Sequence, residues 1–385
     1  FMTNHLWTIH FMRICVANLL LFISLYMLFP VVPVEMADHL GVPVSQTGAM
    51  FLLLTLGMFA IGPFHAYLVD AYKRKYVCAF SFATMVAATV GYGFVNDITQ
   101  LLLLCFVQGI AFGMATTAGI TLAIDITNTN LRSSGNIAFS WTARLGMLIG
   151  IALGVGLYQW YDFKTLLYVS VIAGLAGIFF VSRVYVPFRA PIVTNLCSSD
   201  RFLLLRGWLP AFNLMLIAFI PGLLLPVFHN SLSDVFIGNI EIPFFAIVGV
   251  GFLFSALLAR FVYREEKTLR VITLGISLMM VSFILLKELP AIVTAILLGV
   301  GLGLVTPEFL LMFVKLSQHC QRGTANTTHL LAWETGMSLG VAAACYLSTE
   351  SSVDAVYHLG RILTPIALLF FILLTYPYFK KKRVR

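Results

Sequence analysis

The stretch RSSGNIAFSWTARLGMLIG, residues 132–150, returns 190 positions later as RGTANTTHLLAWETGMSLG, residues 322–340. Identical residues at matching positions carry the likeness: Arg132 and Arg322, Gly146 and Gly336, Met147 and Met337, Gly150 and Gly340. The same offset sets Gly109, Gly113 and Thr116 against Gly299, Gly303 and Thr306, and Ala66, Leu68 and Asp70 against Ala256, Leu258 and Arg260. A long repeat of this kind indicates a duplicated unit and therefore two similar halves.

Long apolar stretches fill both halves. Each is about 20 residues long, the length that an α-helix needs to cross ~30 Å of hydrocarbon. Twelve occur, centred near Leu21, Leu56, Val86, Ala111, Leu148, Ala173, Leu216, Gly251, Leu278, Val300, Leu339 and Leu369. With 60% hydrophobic and 10% charged residues, the chain could not cover the surface of a soluble domain. The sequence predicts an all-α polytopic membrane protein with twelve transmembrane helices in two six-helix bundles.

The basic residues predict how the chain is oriented. Twenty of the 24 Lys and Arg residues lie in the termini and in alternate gaps between apolar stretches, whereas nine acids, from Glu35 to Asp354, lie in the other gaps. Because Lys and Arg in short loops stay in the cytoplasm, both termini are expected there, in a multi-pass protein of the cell (inner or plasma) membrane. The net charge of +8 suits anionic headgroups, and no nucleic-acid partner is expected.

The repeat and the loops give the domain boundaries. We expect an N-terminal six-helix bundle at residues 1–183, a cytoplasmic linker at 184–206 and a C-terminal six-helix bundle at 207–385. Two such bundles can leave a solute site between them near the bilayer midplane. The protein is expected to be a monomer.

A conspicuous polar motif follows the second apolar stretch, formed by Ala66, Leu68, Asp70, Ala71, Lys73, Arg74 and Lys75. It resembles the signature Gly-x-Leu-x-Asp-Arg-x-Gly-Arg-Lys of the major facilitator superfamily, closest in pattern to bacterial drug and sugar efflux members, although both glycines and the first arginine are missing. The resemblance implies a cytoplasmic latch at Asp70, Arg74 and Lys75. Because Asp70 lies at the negative end of its helix dipole, it needs a helix N-terminus or a cation such as Arg132. Alternatively, the basic residues only anchor the loop to headgroups.

The fifth apolar stretch carries Gly146, Gly150, Ile151, Gly154 and Val155. This run resembles the antiporter pattern Gly-x-x-x-Gly-Pro-x-x-Gly-Gly of the same family, without its proline and last glycine. Small residues four apart are also typical of closely packed membrane helices. The direction of transport therefore does not rest on this pattern.

Three ionisable residues lie inside predicted spans: Arg144, Glu308 and Glu334. A charge at the centre of a span costs about 2.5–3.5 kcal/mol, so such groups usually face a partner or water. Arg144 is separated from Gly146 by ~200° of rotation around its helix, and Glu334 is separated from Gly336 by the same angle. If the glycines pack on neighbouring helices, the charges face a central cavity. The alternative is a purely structural bridge between Arg144 and Glu334.

Each of these charges has a predicted role. Glu308 follows Pro307, and Gly299, Gly301 and Gly303 lie in the preceding turns, which suggests an interrupted helix of the kind found at transport sites. A carboxyl in a partly apolar cavity can exchange protons near neutral pH, so Glu308 is the first candidate for proton carrier and Glu334 the second. Arg144 could bind an anionic group through two hydrogen bonds. Further polar or aromatic candidates for the cavity, each explained equally by interhelical packing, are Asn18, Tyr26, Gln108, Thr116, Trp141, Asn213 and Trp333.

Motifs for metalloproteases, zinc sites and nucleotide-binding loops do not occur, so we expect no cofactor, no metal and no enzymatic activity. The leading hypothesis is a proton-coupled secondary transporter that exports a small, partly apolar or anionic organic solute by alternating access. The second is an uptake symporter or facilitator for a nutrient anion or saccharide. A third is a membrane sensor or enzyme that transports nothing.

Overall fold

The computed structural model describes residues 5–187, 193–227, 235–237, 240–262 and 268–383. Part of the predicted linker, residues 188–192, lies outside these ranges, as do the basic loop residues Arg264 and Lys267.

The described chain is almost entirely helical. Its first helices are α1 (Ile9–Tyr26), α2 (Val32–Leu40), α3 (Val44–Thr47), α4 (Met50–Ala71), α5 (Arg74–Gly91), α6 (Ile98–Asp125), α7 (Arg132–Trp160) and α8 (Phe163–Ser182). The later ones are α9 (Trp208–Leu224), α10 (Phe244–Val262), α11 (Thr268–Ile284), α12 (Ala291–Leu316), α13 (Arg322–Glu350), α14 (Val353–Phe370) and α15 (Tyr376–Lys382). A single π-helical turn, Phe371–Thr375, joins α14 to α15.

Ten of the described helical segments are long and apolar enough to cross a membrane. Two shorter apolar helical segments, Phe244–Ser255 and Thr268–Ile284, occupy the positions of the predicted eighth and ninth spans. The prediction of a helical, multi-pass membrane protein is therefore confirmed. The count of twelve spans and the cytoplasmic termini stay predictions.

Short elements that were not predicted lie between the long helices. Helices α2 and α3 follow α1, and a small antiparallel hairpin precedes α10. Its strands are β1 (Val235–Ile237) and β2 (Ile240–Ile242), with Val235 paired to Ile242.

Side-chain caps begin several long helices at predicted loop positions. Asp162 separates α7 from α8, and its carboxylate accepts hydrogen bonds from the Thr165 hydroxyl at 2.5 Å and the Thr165 backbone N–H at 2.9 Å. These two hydrogen bonds lower the pKa of Asp162, because they stabilise its ionised form. At the repeat-equivalent position Ser352 caps α14, accepting from the Ala355 N–H at 3.3 Å.

The helices pack into two compact units. The first unit consists of Phe1–Leu28 and Leu53–Leu203, and the second of Phe29–Leu52 and Leu204–Arg385. Helices α2 and α3 thus belong to the second unit, in which α3 packs on α13: a Cβ added to Gly48 would lie 2.5 Å from the Cβ of Cys345. The predicted boundaries place these two helices in the N-terminal bundle instead. Those boundaries stay a prediction.

Glycines bring helix backbones into contact in the first unit. A Cβ added to Gly109 on α6 would lie 1.9 Å from the Leu54 carbonyl oxygen on α4. The glycine face of α7 packs on α1 in the same way. A Cβ added to Gly146 would lie 2.6 Å from the Leu19 carbonyl oxygen, and one added to Gly150 would lie 2.8 Å from the Ile23 carbonyl oxygen. Since real Cβ atoms cannot approach so closely, only glycine allows these helix separations.

The second unit repeats this packing. A Cβ at Gly299 on α12 would lie 2.0 Å from the Val248 carbonyl oxygen on α10. On α13, a Cβ at Gly336 would lie 2.4 Å from Met215 O, and one at Gly340 would lie 2.4 Å from Phe219 O, both on α9. The pairs α1–α7 and α4–α6 of the first unit therefore correspond to α9–α13 and α10–α12 of the second.

The packed glycines correct the alignment of α4 with α10. Gly109 and Gly299 are 190 residues apart, but their partners Leu54 and Val248 are 194 apart, and α4 and α10 begin 194 residues apart as well. The alignment of Ala66 with Ala256 is therefore wrong by one helical turn. A shift of four residues leaves the same helix face apolar, so the hydrophobic pattern could not exclude it.

Candidate functional site

Arg144 lies on α7 of the first unit, and its residue is only 2% exposed. The Gly146 and Gly150 face of that helix packs against α1, which is the condition under which Arg144 would point away from that neighbour. Because ~200° of rotation separates Arg144 from Gly146, the guanidinium leaves the opposite face of the helix.

Glu334 occupies the same place on α13 of the second unit and is fully buried. There the Gly336 and Gly340 face packs against α9. Trp333 beside it is likewise fully buried. A burial of this degree is costly for a carboxylate in hydrocarbon and marks Glu334 as a functional candidate. The prediction that Arg144, Glu308 and Glu334 share one cavity stays a prediction.

Glu308 is half-buried on α12. Its carboxyl group lies near the side chain of Thr268, the first described residue of α11, and near the cation of Lys315. Helix α12 runs unbroken through Pro307, so the expected interruption is wrong: the proline is accommodated inside the helix.

Hydrogen bonds within and between helices engage four of the cavity candidates. The Asn18 amide of α1 donates to Phe139 O at 3.2 Å and to Thr142 Oγ1 at 3.1 Å on α7. The Asn213 amide of α9 donates to Ala367 O of α14 at 3.2 Å. These contacts match the packing alternative.

Gln108 and Thr116 follow the same pattern on α6. The Gln108 amide accepts from the Tyr92 hydroxyl at 2.5 Å and donates to Thr89 Oγ1 at 3.2 Å. The Thr116 hydroxyl donates to Phe112 O of its own helix at 2.9 Å.

Among the aromatic candidates, Tyr26 is fully buried and stacks on Phe22 with ring centroids 6.0 Å apart. Trp333 is fully buried, and Trp141 is half-buried.

A compact group of charges lies where α4, α5 and α6 end or begin in the first unit. We call it the Asp70 cluster: Asp70, Arg74, Asp125 and Arg201. Arg74 donates to Asp70 Oδ1 at 3.0 Å and to Asp125 Oδ2 at 2.5 Å, and Arg201 donates to Asp70 Oδ2 at 2.7 Å. The Asp70 side chain is only 4% exposed. Positive and negative groups thus alternate along one chain of ion pairs.

The helix ends explain why these charges need one another. Asp70 and Asp125 lie at the C-termini of α4 and α6, where the dipole disfavours a carboxylate. The Arg74 guanidinium offsets both, and its Nε donates to Val69 O at 3.2 Å, which also satisfies a terminal carbonyl of α4. One arginine therefore stabilises the ends of two helices.

Residues 198–202 bring Arg201 to this cluster by docking along α4. The Ser198 N–H donates to Pro63 O at 2.9 Å. The Phe202 ring lies so close to Gly62 that an added Cβ would be 2.1 Å from it, and its centroid is 5.9 Å from that of His65. This segment of the predicted linker is thus part of the first unit.

The cluster differs from the latch that the sequence indicated. Asp70 and Arg74 are in it, but the second cation on Asp70 is Arg201, whereas Arg132 is exposed at the start of α7 and Lys75 is half-buried at the start of α5. Sequence reasoning missed Asp125 and Arg201. An acid at the end of an apolar stretch was a usable signal for Asp125, whereas the docking of a loop left no signal for Arg201.

The comparisons with known proteins agree with this architecture. The model of the Major Facilitator Superfamily matches residues 14–340, and the chain belongs to that family. The chain is therefore a membrane transporter and not an enzyme.

Solved structures show the same fold at low sequence identity. The crystal structure of the human organic anion transporter MFSD10 (TETRAN) is 14% identical, with a TM-score of 0.69, covering 94% of this chain and 98% of that one. The nucleoside transporter NupG is 13% identical, with a TM-score of 0.68, covering 94% of this chain and 99% of that one. None of the curated proteins compared with the chain matches it.

Proposed function

We propose that the chain is a proton-coupled secondary transporter that moves a small, partly apolar or anionic organic solute by alternating access, with export favoured. The observation that supports this most is a pair of buried charges, Arg144 and Glu334, at repeat-equivalent positions opposite packed glycine faces. A buried ionisable group in a membrane helix is a functional candidate by default. The proposal includes twelve spans, cytoplasmic termini, a monomer, and placement in the cell membrane.

Arg144 is the proposed anion-binding group. A guanidinium stays charged at all physiological pH values and offers paired donors that fit a carboxylate. The organic anion transporter among the fold neighbours suits this choice, although its identity of 14% supports only the fold. The other cavity candidates remain secondary, because Asn18, Gln108 and Asn213 already bind neighbouring helices.

Glu308 and then Glu334 are the proposed proton carriers. Glu308 is only half-buried and lies beside a hydroxyl donor and Lys315, so it can reach water and exchange a proton. Glu334 is fully buried and out of reach of water in this arrangement, so proton exchange there would require a change in the packing around it. Two carboxyls of different burial would allow proton uptake and release to occur in different conformations.

The Asp70 cluster, together with Lys75 and Arg132, is the proposed cytoplasmic latch. Its ion pairs tie α4, α5 and α6 to one another and to residues 198–202. Alternating access requires helix ends that hold one arrangement and then release it, and the pair between Asp70 and the 45% exposed Arg201 can be exchanged at small cost.

Vesicles containing the purified chain test the direction of coupling. The probe is a membrane-impermeant carboxylated dye outside the vesicles, under an imposed pH gradient. An antiporter accumulates the dye only when the lumen is more acidic, and an uptake symporter only when the exterior is more acidic. A facilitator equilibrates the dye under either gradient. Dye uptake that requires an acidic exterior would reject export.

Glu308→Gln tests the proton carrier in the same vesicles. The variant should still equilibrate the dye but lose its response to the pH gradient, because glutamine cannot carry a proton. Glu288→Gln is the matched control, since Glu288 is an exposed carboxyl in the loop before α12. An unchanged pH response in Glu308→Gln, with the control also unchanged, would move the role to Glu334.

A further inference from the structure

An open groove lies between the beginning of α1 and the end of α8, both in the first unit. It encloses a cavity of about 500 Å³. Two arginines, Arg13 and Arg183, lie at one part of it, and apolar side chains including Met12, Val16 and Phe179 line the rest. The proposed transport mechanism does not use this groove.

A backbone carbonyl and an aromatic ring hold the two arginines in place. The Arg13 guanidinium donates to Arg183 O at 2.8 Å, at the C-terminal end of α8, where a cation is favoured by the helix dipole. The Arg183 guanidinium lies 5.2 Å from the centroid of the Phe179 ring. Within the described part of the chain, the residues that line the groove include no acid. Two positive charges on an apolar wall suit an anion that carries an apolar portion.

The surroundings place the groove at the edge of the hydrocarbon. Helices α1 and α8 are both apolar spans. Trp7, which is 57% exposed, precedes α1, and the exposed Tyr185 follows α8, where its backbone N–H donates to His10 Nδ1 at 3.1 Å. Exposed tryptophan and tyrosine are typical of the headgroup level of a bilayer.

We propose that this groove, the α1–α8 groove, binds one anionic phospholipid, with its phosphate on Arg13 and Arg183 and one acyl chain along Met12, Val16 and Phe179. Basic pockets between transmembrane helices are suited to anionic headgroups. A lipid fits better than a soluble phosphate because most of the lining is apolar and both helices that form it are long and apolar enough to span a membrane.

Native mass spectrometry of the detergent-purified full chain tests this proposal, with phosphatidylglycerol and phosphatidylcholine supplied in equal amounts. The wild type should retain one phosphatidylglycerol per chain in preference to phosphatidylcholine. The double variant Arg13→Gln and Arg183→Gln should weaken that retention about 30-fold, from about 1 kcal/mol for each basic residue.

Lys381→Gln combined with Lys382→Gln is the matched control, because it removes the same charge from the exposed C-terminal segment. This control should retain the lipid as the wild type does. Equal loss in both double variants would mean diffuse surface attraction and would overturn the proposal, as would full retention in the arginine variant. Circular dichroism and size-exclusion chromatography would check that each variant is folded.

Val16→Trp separates a lipid from a soluble anion, since it fills the apolar part of the groove and leaves both arginines. The variant should lose phosphatidylglycerol. Glycerol phosphate, which carries the charge without acyl chains, should not displace the lipid from the wild type at comparable concentration. Displacement by glycerol phosphate, or retention of the lipid by a folded Val16→Trp protein, would contradict lipid binding in this groove.

Discussion

Helices α7 and α13 are two copies of one segment, and they differ in charge at one buried position. Both press a glycine face onto a neighbouring helix, α1 in the first unit and α9 in the second. On the opposite face, α7 carries Arg144 where α13 carries Glu334. Backbone contact leaves no room for side chains on the glycine face, whereas the opposite face can change its chemistry without altering the packing. The comparison separates the face of the repeat that builds the bundle from the face that carries the proposed solute-binding charges.

A similar inversion occurs at the end of α4. With the one-turn correction, Asp70 of the first unit corresponds in sequence to Arg264, which lies outside the described residues. The duplicated halves thus exchange an acid and an arginine at two matched positions. Duplication supplies a shared scaffold, and charge inversion makes its two copies chemically unequal.

Removing the shared packing should have the largest effect. Gly336→Leu on α13 should destabilise the fold by about 3 kcal/mol or more, because the side chain would meet the backbone of α9 at Met215. Gly146→Leu on α7 should destabilise the fold similarly, because its side chain would meet the backbone of α1 at Leu19. Thermal unfolding in detergent measures both.

Gly323→Ala is the control for that prediction. A Cβ at Gly323 has open space around it, although the residue lies on the same helix as Gly336. The substitution should leave stability unchanged or raise it by up to about 1 kcal/mol through helix propensity. A destabilised Gly323→Ala, or an unaffected Gly336→Leu, would show that the glycine face does not set the packing.

Breaking the Asp70 cluster should rank next. Asp70→Asn leaves Arg74 partly buried with one carboxylate fewer, and should cost about 3 kcal/mol. Arg201→Gln should cost about 1 kcal/mol at most, because the Arg201 side chain is 45% exposed. The unfolding midpoints of the two variants test this order, and equal losses would mean that Arg201 is not a peripheral member.

Arg144→Lys should affect recognition more than stability. A lysine keeps the charge but loses the paired donors, so binding of carboxylated dyes should weaken roughly 10- to 100-fold, the range for hydrogen bonds to charged groups. Binding measured by fluorescence anisotropy for each dye and its uncharged methyl ester provides the comparison. Equal weakening for acid and ester would exclude Arg144 as the carboxylate-binding group.

The smallest effect should come from the matched helix caps. Asp162→Ala should lower the melting temperature near neutral pH, but this loss should vanish in acid. The lowered pKa of Asp162 means that its stabilisation is present above the ordinary aspartate pKa, about 3.9, and disappears as the pH falls through the lower folded-state value. Ser352→Ala should lower the melting temperature by an amount that does not change with pH, since a hydroxyl does not titrate. Melting curves across the acid range distinguish the two.

The sequence predicted those features that depend on local pattern or on the repeat. Apolar length predicted the helices, and the glycines predicted which faces of α7 and α13 are packed. Long-range docking could not be predicted from the sequence. The contact of Arg201 with Asp70 joins residues 131 positions apart, and Arg201 lies in a loop without a periodic pattern. The position of Glu308 near Thr268 was missed for a related reason, since it depends on how α12 packs against α11.

Phe202 has a consequence for biosynthesis. Its ring occupies the notch that Gly62 leaves in α4, and the adjoining Ser198 N–H binds Pro63 O. The surface of an early helix is therefore completed by a segment that the ribosome makes about 140 residues later, or roughly 7 to 28 seconds at ordinary elongation rates. Until then the notch in α4 is open, and a chaperone or insertase that protects nascent chains has a defined place and interval in which to act.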